Sequence, residues 1–268
     1  MQRDQQARQD QDAGNGAHEL KAVRLVIDAH TASFRVPHTQ SNHQATWPTI
    51  PPTALQGLLE AMLGLGQVPP ELEYAAAFRG EWHGKDYQTG WNVGGQQDWR
   101  LGGTQQPFER ELIGHVRLIL HLRGVPDLAA LANQLSAPAH SLCMGRPEDV
   151  AWMARVPEVA ELAMGSRWHM CGVMLPAEEW RSSVVGGRLV TLARKFTGRE
   201  FGERLGTVRG RMIYCSHLAP GGEVDARTVP GRRVEVPCDP EIRDAEGRAL
   251  GLAFIPLFPS AAGERTAV

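Results

Sequence analysis

Three stretches of the sequence gather side chains that could grip a nucleic-acid strand. Residues 35–47 hold Arg35, His38, Gln40, Asn42, His43, Thr46 and Trp47. Guanidinium and imidazole groups donate to phosphate oxygens, amides and hydroxyls read base edges, and an indole offers a stacking platform. Residues 83–106 are glycine-rich and carry His83, Lys85, Trp91, Trp99 and Arg100, a set suited to a hairpin that wedges between nucleotides. Residues 188–211 contain Arg188, Arg194, Lys195, Arg199, Arg204, Arg209 and Arg211 against Glu200 and Glu203, the strongest basic cluster of the chain. Each stretch also has a plainer reading: a polar loop with Trp47 tucked into a core, a loop that only touches a neighbouring subunit, and a solvated charged face.

These side chains need elements to position them. Val23, Leu25 and Ile27 alternate with Arg24, Val26 and Asp28, the period of a strand with one buried face. The polar run that follows is punctuated by Pro37 and Pro48 and reads as an ordered surface arm. Pro51 and Pro52 then precede Thr53 as the expected helix N-cap, with Leu55, Leu58, Leu59, Met62 and Leu63 on one helical face and Gly64 and Gly66 at its end. A strand is expected within 71–82, with Leu72, Tyr74, Ala76 and Phe78 on one side. A mobile, hairpin-like excursion spans 83–106. Residues 111–122 return as a core strand, and 127–135 form a short helix with Leu128, Leu131 and Leu135 on one side. That order predicts an α+β, ferredoxin-like domain over 21–160, after a disordered tail at 1–20. A smaller, irregular β-rich region is expected at 161–268, with strands near 184–190, 209–216, 232–236 and 250–258 and a hairpin turn at 244–247.

The first of these stretches resembles the CRISPR-associated Cas-five family. The residues that carry the resemblance are the opening strand, Ala32-Ser33-Phe34-Arg35-Val36-Pro37, Trp47-Pro48-Thr49-Ile50-Pro51-Pro52-Thr53, and Gly57-Leu58-Leu59 with Gly64. Weaker matches are Pro107-Phe108-Glu109-Arg110-Glu111-Leu112 and the leucine-glycine-arginine element Ser141-Leu142-Cys143-Met144-Gly145-Arg146. The resemblance covers roughly the middle half of the chain, and it is fairly specific because several features recur in one order. It implies an RRM/RAMP-type domain with a β-hairpin thumb. It also implies a crRNA-binding subunit of a Cascade-type effector complex, one that caps the 5′ handle and anchors the filament of repeated backbone subunits and the large subunit. Expected partners are therefore crRNA, those subunits and, through the complex, target DNA. Arg146 joins the expected RNA-binding residues by the same match.

Charge is neutral to this reading. The 268-residue chain is formally −2, where a free-standing RNA binder is usually basic. Residues 1–20 hold four acids against two arginines, so the remainder is neutral. Lysine occurs only at 21, 85 and 195, and arginine is the better phosphate clamp. Cys143, Cys171, Cys215 and Cys238 form no CxxC pair, so buried reduced thiols are expected, with no metal and no cofactor. No apolar run reaches the length of a membrane span and the N-terminus lacks a signal peptide's apolar centre, so a cytoplasmic protein with no membrane partner is expected.

One branch of the family cuts precursor RNA, and metal-free cleavage needs a base, an acid and a cation, often His, Tyr and Lys together. The nearest such group is His83, Lys85 and Tyr87, on what reads as a mobile loop and hence a poor frame for proton transfer. Binding without cleavage is the expectation. The alternatives are a metal-independent endoribonuclease that processes precursor crRNA, and a ferredoxin-like scaffold without an RNA role.

Overall fold

The computed structural model describes residues 20–36, 42–92, 104–177, 188–196, 199–200, 203–204, 207–215 and 235–258. Strand β1 (Leu20–Ala32) lies at the centre. It pairs antiparallel with β5 (Thr104–Arg123) on one side and β7 (Val150–Gly165) on the other, and β3 (Glu73–Arg79) pairs with the far edge of β5. Helix α1 (Pro52–Leu63) links β1 to β3, and α2 (Leu128–Leu135) links β5 to β7. The order β3-β5-β1-β7 with two crossing helices is the ferredoxin-like arrangement expected from the sequence.

The helices cover one face. Leu55, Leu58, Leu59 and Met62 of α1 and Leu131 and Leu135 of α2 are buried against Val23, Leu25, Ile27, Leu118, Leu120 and Leu122. Their spacing follows from the helical period on one side and the strand period on the other. The start of α1 differs from expectation. Its N-cap is Pro51, with Pro52 in the first turn and no side-chain cap, rather than Thr53. Proline at the first helical position has its φ preset and lacks only an N–H that would have no partner there, and the amides of Ala54 and Leu55 both donate to the Pro51 carbonyl. In α2 a side chain does cap the start: the Asp127 carboxylate accepts from the Ala130 amide at 2.8 Å.

β1 is buried on both faces, not one; even Arg24 is only 3% exposed. The reason is the C-terminal region, which covers part of the second face. There Ala22, Ala75, Ala77 and Leu162 meet Leu250 and Leu252. β14 (Val236–Arg243) pairs with β7, β15 (Ala249–Gly251) with β14, and β8 (Trp168–His169) with β15, while β16 (Ile255–Pro256) closes on β3. With β2 (His43–Gln44), β4 (Trp82–Asn92) and β6 (Leu142–Cys143) this makes an 11-stranded sheet. A smaller sheet holds β9 (Val173–Pro176), β10 (Arg188–Phe196) and β13 (Thr207–Cys215), and a two-stranded ladder pairs β11 (Arg199–Glu200) with β12 (Glu203–Arg204). The turn at 244–247 is present, closed by the Gly247 amide on the Asp244 carbonyl. Cys171 and Cys238 are buried thiols and Cys143 a half-buried one; the side chain of Cys215 lies outside the described ones.

A buried ionic node bolts the C-terminal strands to the sheet. Arg24 Nη1 donates to both carboxylate oxygens of Asp239, at 3.0 and 2.8 Å, and Arg24 Nη2 reaches Glu158 at 2.6 Å and also Glu241. His121 Nε2 lies 2.8 Å from Asp239 Oδ2, and both side chains are fully buried. Burial pushes His121 down to the neutral form, against the pull of Asp239. A neutral ring that donates from Nε2 leaves Nδ1 as a bare lone pair, which matches its having no partner among the described residues. Burial alone would raise the Asp239 carboxyl, but the hydrogen bonds from His121 and Arg24 override it and hold it at about 2.

Asp239→Asn leaves the Arg24 cation buried beside a neutral partner and should cost about 3–5 kcal/mol in urea unfolding. Folded His121 takes up a proton less readily than at its unfolded value of 6.5, so stability should fall as pH drops through that value. A second loss, on the order of 2 kcal/mol, follows as pH falls from 3.8, the unfolded carboxyl value, towards the folded value of about 2. Urea midpoints measured across pH in the wild type and the Asp239→Asn variant check both; a variant as stable as the wild type would show that the node does not hold β14.

Candidate nucleic-acid interface

β4 and β5 form a long antiparallel hairpin that continues β5 past the core. Their register runs from Trp82 opposite Gly114 to Asn92 opposite Thr104. The hairpin-like excursion expected from the sequence is thus present, and the correction concerns His83, Lys85 and Tyr87, which stand on a paired strand rather than on a loop. Glycines at 84 and 90 lower strand propensity, but pairing with β5 overrides it. At the hairpin base the Trp82 ring lies flat on Gly114, where a Cβ would sit 1.7 Å from the indole.

Strand parity sorts the hairpin's charges. In Glu109-Arg110-Glu111 the two acids point to one face and Arg110 to the other. His83, Lys85 and Tyr87 of β4 share the acidic face. So does His43, because β2 runs parallel to β5 with His43 beside Glu109. Glu109 is the hub, accepting from Lys85 Nζ at 2.8 Å and Tyr87 Oη at 2.9 Å, with His43 Nδ1 at 2.9 Å. His43 Nε2 is 3.4 Å and His83 Nε2 3.9 Å from Glu111. The Glu109 carboxylate raises the Lys85 ammonium and the Tyr87 phenol above their ordinary values, and those two groups in turn hold Glu109 below its own. Lys85 is therefore a fixed cation and Tyr87 a reluctant base.

The other face of the hairpin opens on a groove of about 530 Å³. It is framed by the turn after β1, the first turns of α1 and the loop after β6, and among the described residues its lining includes Arg35, Arg110, Arg146 and Gln44 but no carboxylate. Arg110 Nε donates to the Gln44 side chain at 3.0 Å. Arg146 is aimed by a two-pronged pair with buried Asp149, Nε to Oδ2 at 2.7 Å and Nη2 to Oδ1 at 2.6 Å. Glu148 lies 3.3 Å from both Arg110 Nη1 and Arg146 Nη1, outside the lining. Burial and the neighbouring Arg146 cation both pull the Arg110 guanidinium down, and the Asp149 pair pushes Arg146 up. Asp149, Glu148 and also Asp86, which is opposite Arg110 on β4 and 3.8 Å from Arg146 Nη1, balance the two guanidiniums, so what the groove offers an anion is the hydrogen-bond donors of Arg110, Arg146 and Arg35. The backbone that makes this possible is tight: Gly145 has φ +106 and a Cβ there would stand 2.1 Å from the Ser33 carbonyl, while the Ser33 amide donates to the Met144 carbonyl.

The predicted residues fall in different places. Arg35 is exposed at the groove, bridged to Thr46. Thr46 is buried, its hydroxyl accepting from the Phe34 amide at 2.6 Å and its amide donating to Glu111 at 3.0 Å, so it shapes the arm. Trp47 is half-buried and packs against both the main core and the cluster around Met174, Leu192 and Met212. Asn42 is exposed, with its carbonyl taken by the Glu109 amide. His43 and Lys85 join the acidic face, and Arg146 the groove. His38, Gln40, Trp99 and Arg100 lie outside the described residues, as do the side chains of Arg194 and Lys195, whose backbones sit in β10. Sequence reasoning misses Arg110, although its place between two acids in a strand is the signal that separates it from them. Among the described residues no group of three or more His, Cys, Asp or Glu is arranged to hold a metal ion, and no helix is long and apolar enough to cross a membrane.

No protein-family model and no curated protein matches the chain. Among solved structures it is similar to a chain described as "CRISPR RNA-guided surveillance complex", with a TM-score of 0.46 and 16% identity over 79% of this chain and 95% of that one.

Glu109→Gln should let the Tyr87 phenol and the Lys85 ammonium fall back towards their ordinary values. A pH titration of tyrosinate absorbance should show one of the three tyrosines moving to lower pH; an unchanged curve would mean that Glu109 and Tyr87 are not in contact. Gly145→Ala should destabilise the chain by more than about 2 kcal/mol and loosen the Arg146 loop, read by urea unfolding.

Proposed function

We propose that this chain is a crRNA-binding subunit of a Cascade-type CRISPR effector complex, in which it caps the 5′ handle of the guide. The observation that carries the reading is the groove on which Arg35, Arg110 and Arg146 converge, with no carboxylate in its lining among the described residues. Its walls are the same segments, Ser33-Phe34-Arg35 and Cys143-Met144-Gly145-Arg146, on which the sequence resemblance rests. A ferredoxin-like sheet with a long hairpin beside the groove fits that role. In it the guanidiniums clamp backbone phosphates, the arm 35–47 meets splayed bases, and the hairpin marks the end of the handle. Repeated backbone subunits, a large subunit and, through them, target DNA are the partners this reading calls for.

Substitution of Arg35 or Arg110 by Ala should weaken binding of a repeat-derived 5′-handle RNA by about 1–3 kcal/mol each, measured by filter binding at fixed salt. Unchanged affinity in both variants would remove the groove from the site.

A second reading, endoribonuclease, is favoured by one observation: His43, His83, Lys85 and Tyr87 share a rigid strand face. Against it, Glu109 and Glu111 sit in their midst and would repel a scissile phosphate, and Tyr87 is shifted away from use as a base near neutrality. Binding without cleavage is the preferred reading. Repeat RNA incubated with the chain in EDTA should stay intact; specific cuts lost in His43→Ala or His83→Ala would reverse that preference.

A further inference from the structure

Among the described residues, none of the basic stretch 188–211 lines the groove, and the fold gives that stretch a surface of its own. β9, β10 and β13 pair in the order β10-β13-β9. Their residues include Arg188, Arg194, Lys195, Arg209 and Arg211 but no Asp or Glu. One face of this small sheet is sealed: Val190, Leu192, Met212 and Met174 pack there with Trp47 of the arm, and β10 lies beside α1. The other face is sealed only in part. Leu175 and Ile213 lie under Trp168, Val236 and Ala253, and beyond Ile213 that face is open.

The open end is cationic. Arg211 and Arg209 follow Ile213 on the same face of β13, with Gly210 between them, and both are exposed. Their neighbours across the ladder are Thr191 and Ala193 of β10, so no carboxylate stands where one would answer them. Neither arginine makes an ion pair among the described residues. Arg188, opposite Tyr214, has the other parity and stands apart. Residues two apart along a strand are separated by about 7 Å, close to the step between successive phosphates of a nucleic-acid strand. Two like charges held at that spacing raise the local potential, and phosphates accepting from both guanidiniums relieve it. Among the described side chains the face otherwise offers a hydroxyl at Thr191, a methyl at Ala193 and the half-exposed Leu189, with no ring to stack on a base and no amide to read one. Contact through phosphates alone suits a strand whose bases are turned away into pairs; a single strand is held by stacking as well.

We propose that Arg209 and Arg211 bind the phosphate backbone of a nucleic-acid duplex without regard to its sequence. The site is separate from the groove and does not depend on the handle-capping reading. DNA and RNA duplexes present the same phosphates, and the test distinguishes them.

The test is fluorescence anisotropy of the full-length chain with labelled DNA and RNA duplexes of about 20 base pairs, each in two unrelated sequences, over a range of salt. Equal affinity for the two sequences is expected, and whichever of DNA or RNA binds more tightly identifies the duplex. A double variant, Arg209→Gln with Arg211→Gln, should bind about tenfold more weakly, and its fall of log affinity with log salt should be shallower by about two, one for each phosphate released. Thr191→Glu sets a carboxylate opposite Arg211 while leaving both arginines in place, and should reproduce part of the loss. All three positions are exposed, so the urea midpoints of the variants should match the wild type. Repeat-derived 5′-handle RNA should bind the double variant as well as it binds the wild type. An unchanged salt slope in the double variant, a wild type that binds no duplex at low salt, or a single strand bound as tightly as the duplex would overturn the inference and leave the groove reading intact. Loss of handle RNA by the double variant would make the two arginines part of the handle site, and would overturn it too.

Discussion

One strand sets the geometry of everything functional in this molecule. β5 runs 20 residues, pairing with β1 and β3 in the core and with β4 and β2 beyond it. Because one strand carries both sets of pairings, the hairpin is referenced directly to the sheet. Glu109, Arg110, Glu111 and His121 are all its residues, so the acidic face, the groove and the buried node share one backbone. Its one irregularity is local: His115 has φ 49, a conformation rare outside glycine that costs roughly 1–3 kcal/mol. It falls next to Gly114, where the Trp82 ring occupies the space of a side chain.

The overall charge of −2 conceals a sorted surface. Alternation in a strand separates neighbours in sequence by the thickness of the sheet, so Glu109 and Glu111 do not neutralise Arg110. The carboxylates near the groove serve to aim guanidiniums. Asp149, buried and also held by the Thr31 hydroxyl, orients Arg146 from behind, a second layer of contacts that fixes the rotamer of a ligand-facing group. Arginine suits this duty because its five donors allow one edge to be pinned while another faces outward.

Much of this is legible in the chain itself. The alternation in β1, the leucine spacing of α1 and α2, the turn at 244–247 and the ferredoxin-like order follow from local periodicity, which depends on residues a few positions apart. What escapes such a reading depends on distant partners. The stretch 150–165 dilutes three Val with four Ala, two Glu, two Met and a Pro, without a clear strand alternation, and becomes β7 because β1 pairs with it. That β1 is buried on both sides depends on strands more than two hundred residues downstream, as Arg24 and Asp239 show with a separation of 215. His83, Lys85 and Tyr87 look like loop residues until Glu109 and Glu111 are set opposite them. That Arg211 stands opposite Thr191, and not an acid, is a matter of register, which no single stretch of sequence contains.

The course of β5 also explains why Arg110 and Arg117 have separate surroundings. Arg110 opens on the groove beside the first turns of α1, on the side that the helices cover. Arg117 lies on the side of Ile119 and His121, which face the C-terminal strands. Two groups on opposite faces of one rigid strand, with no common partner, perturb each other little when substituted.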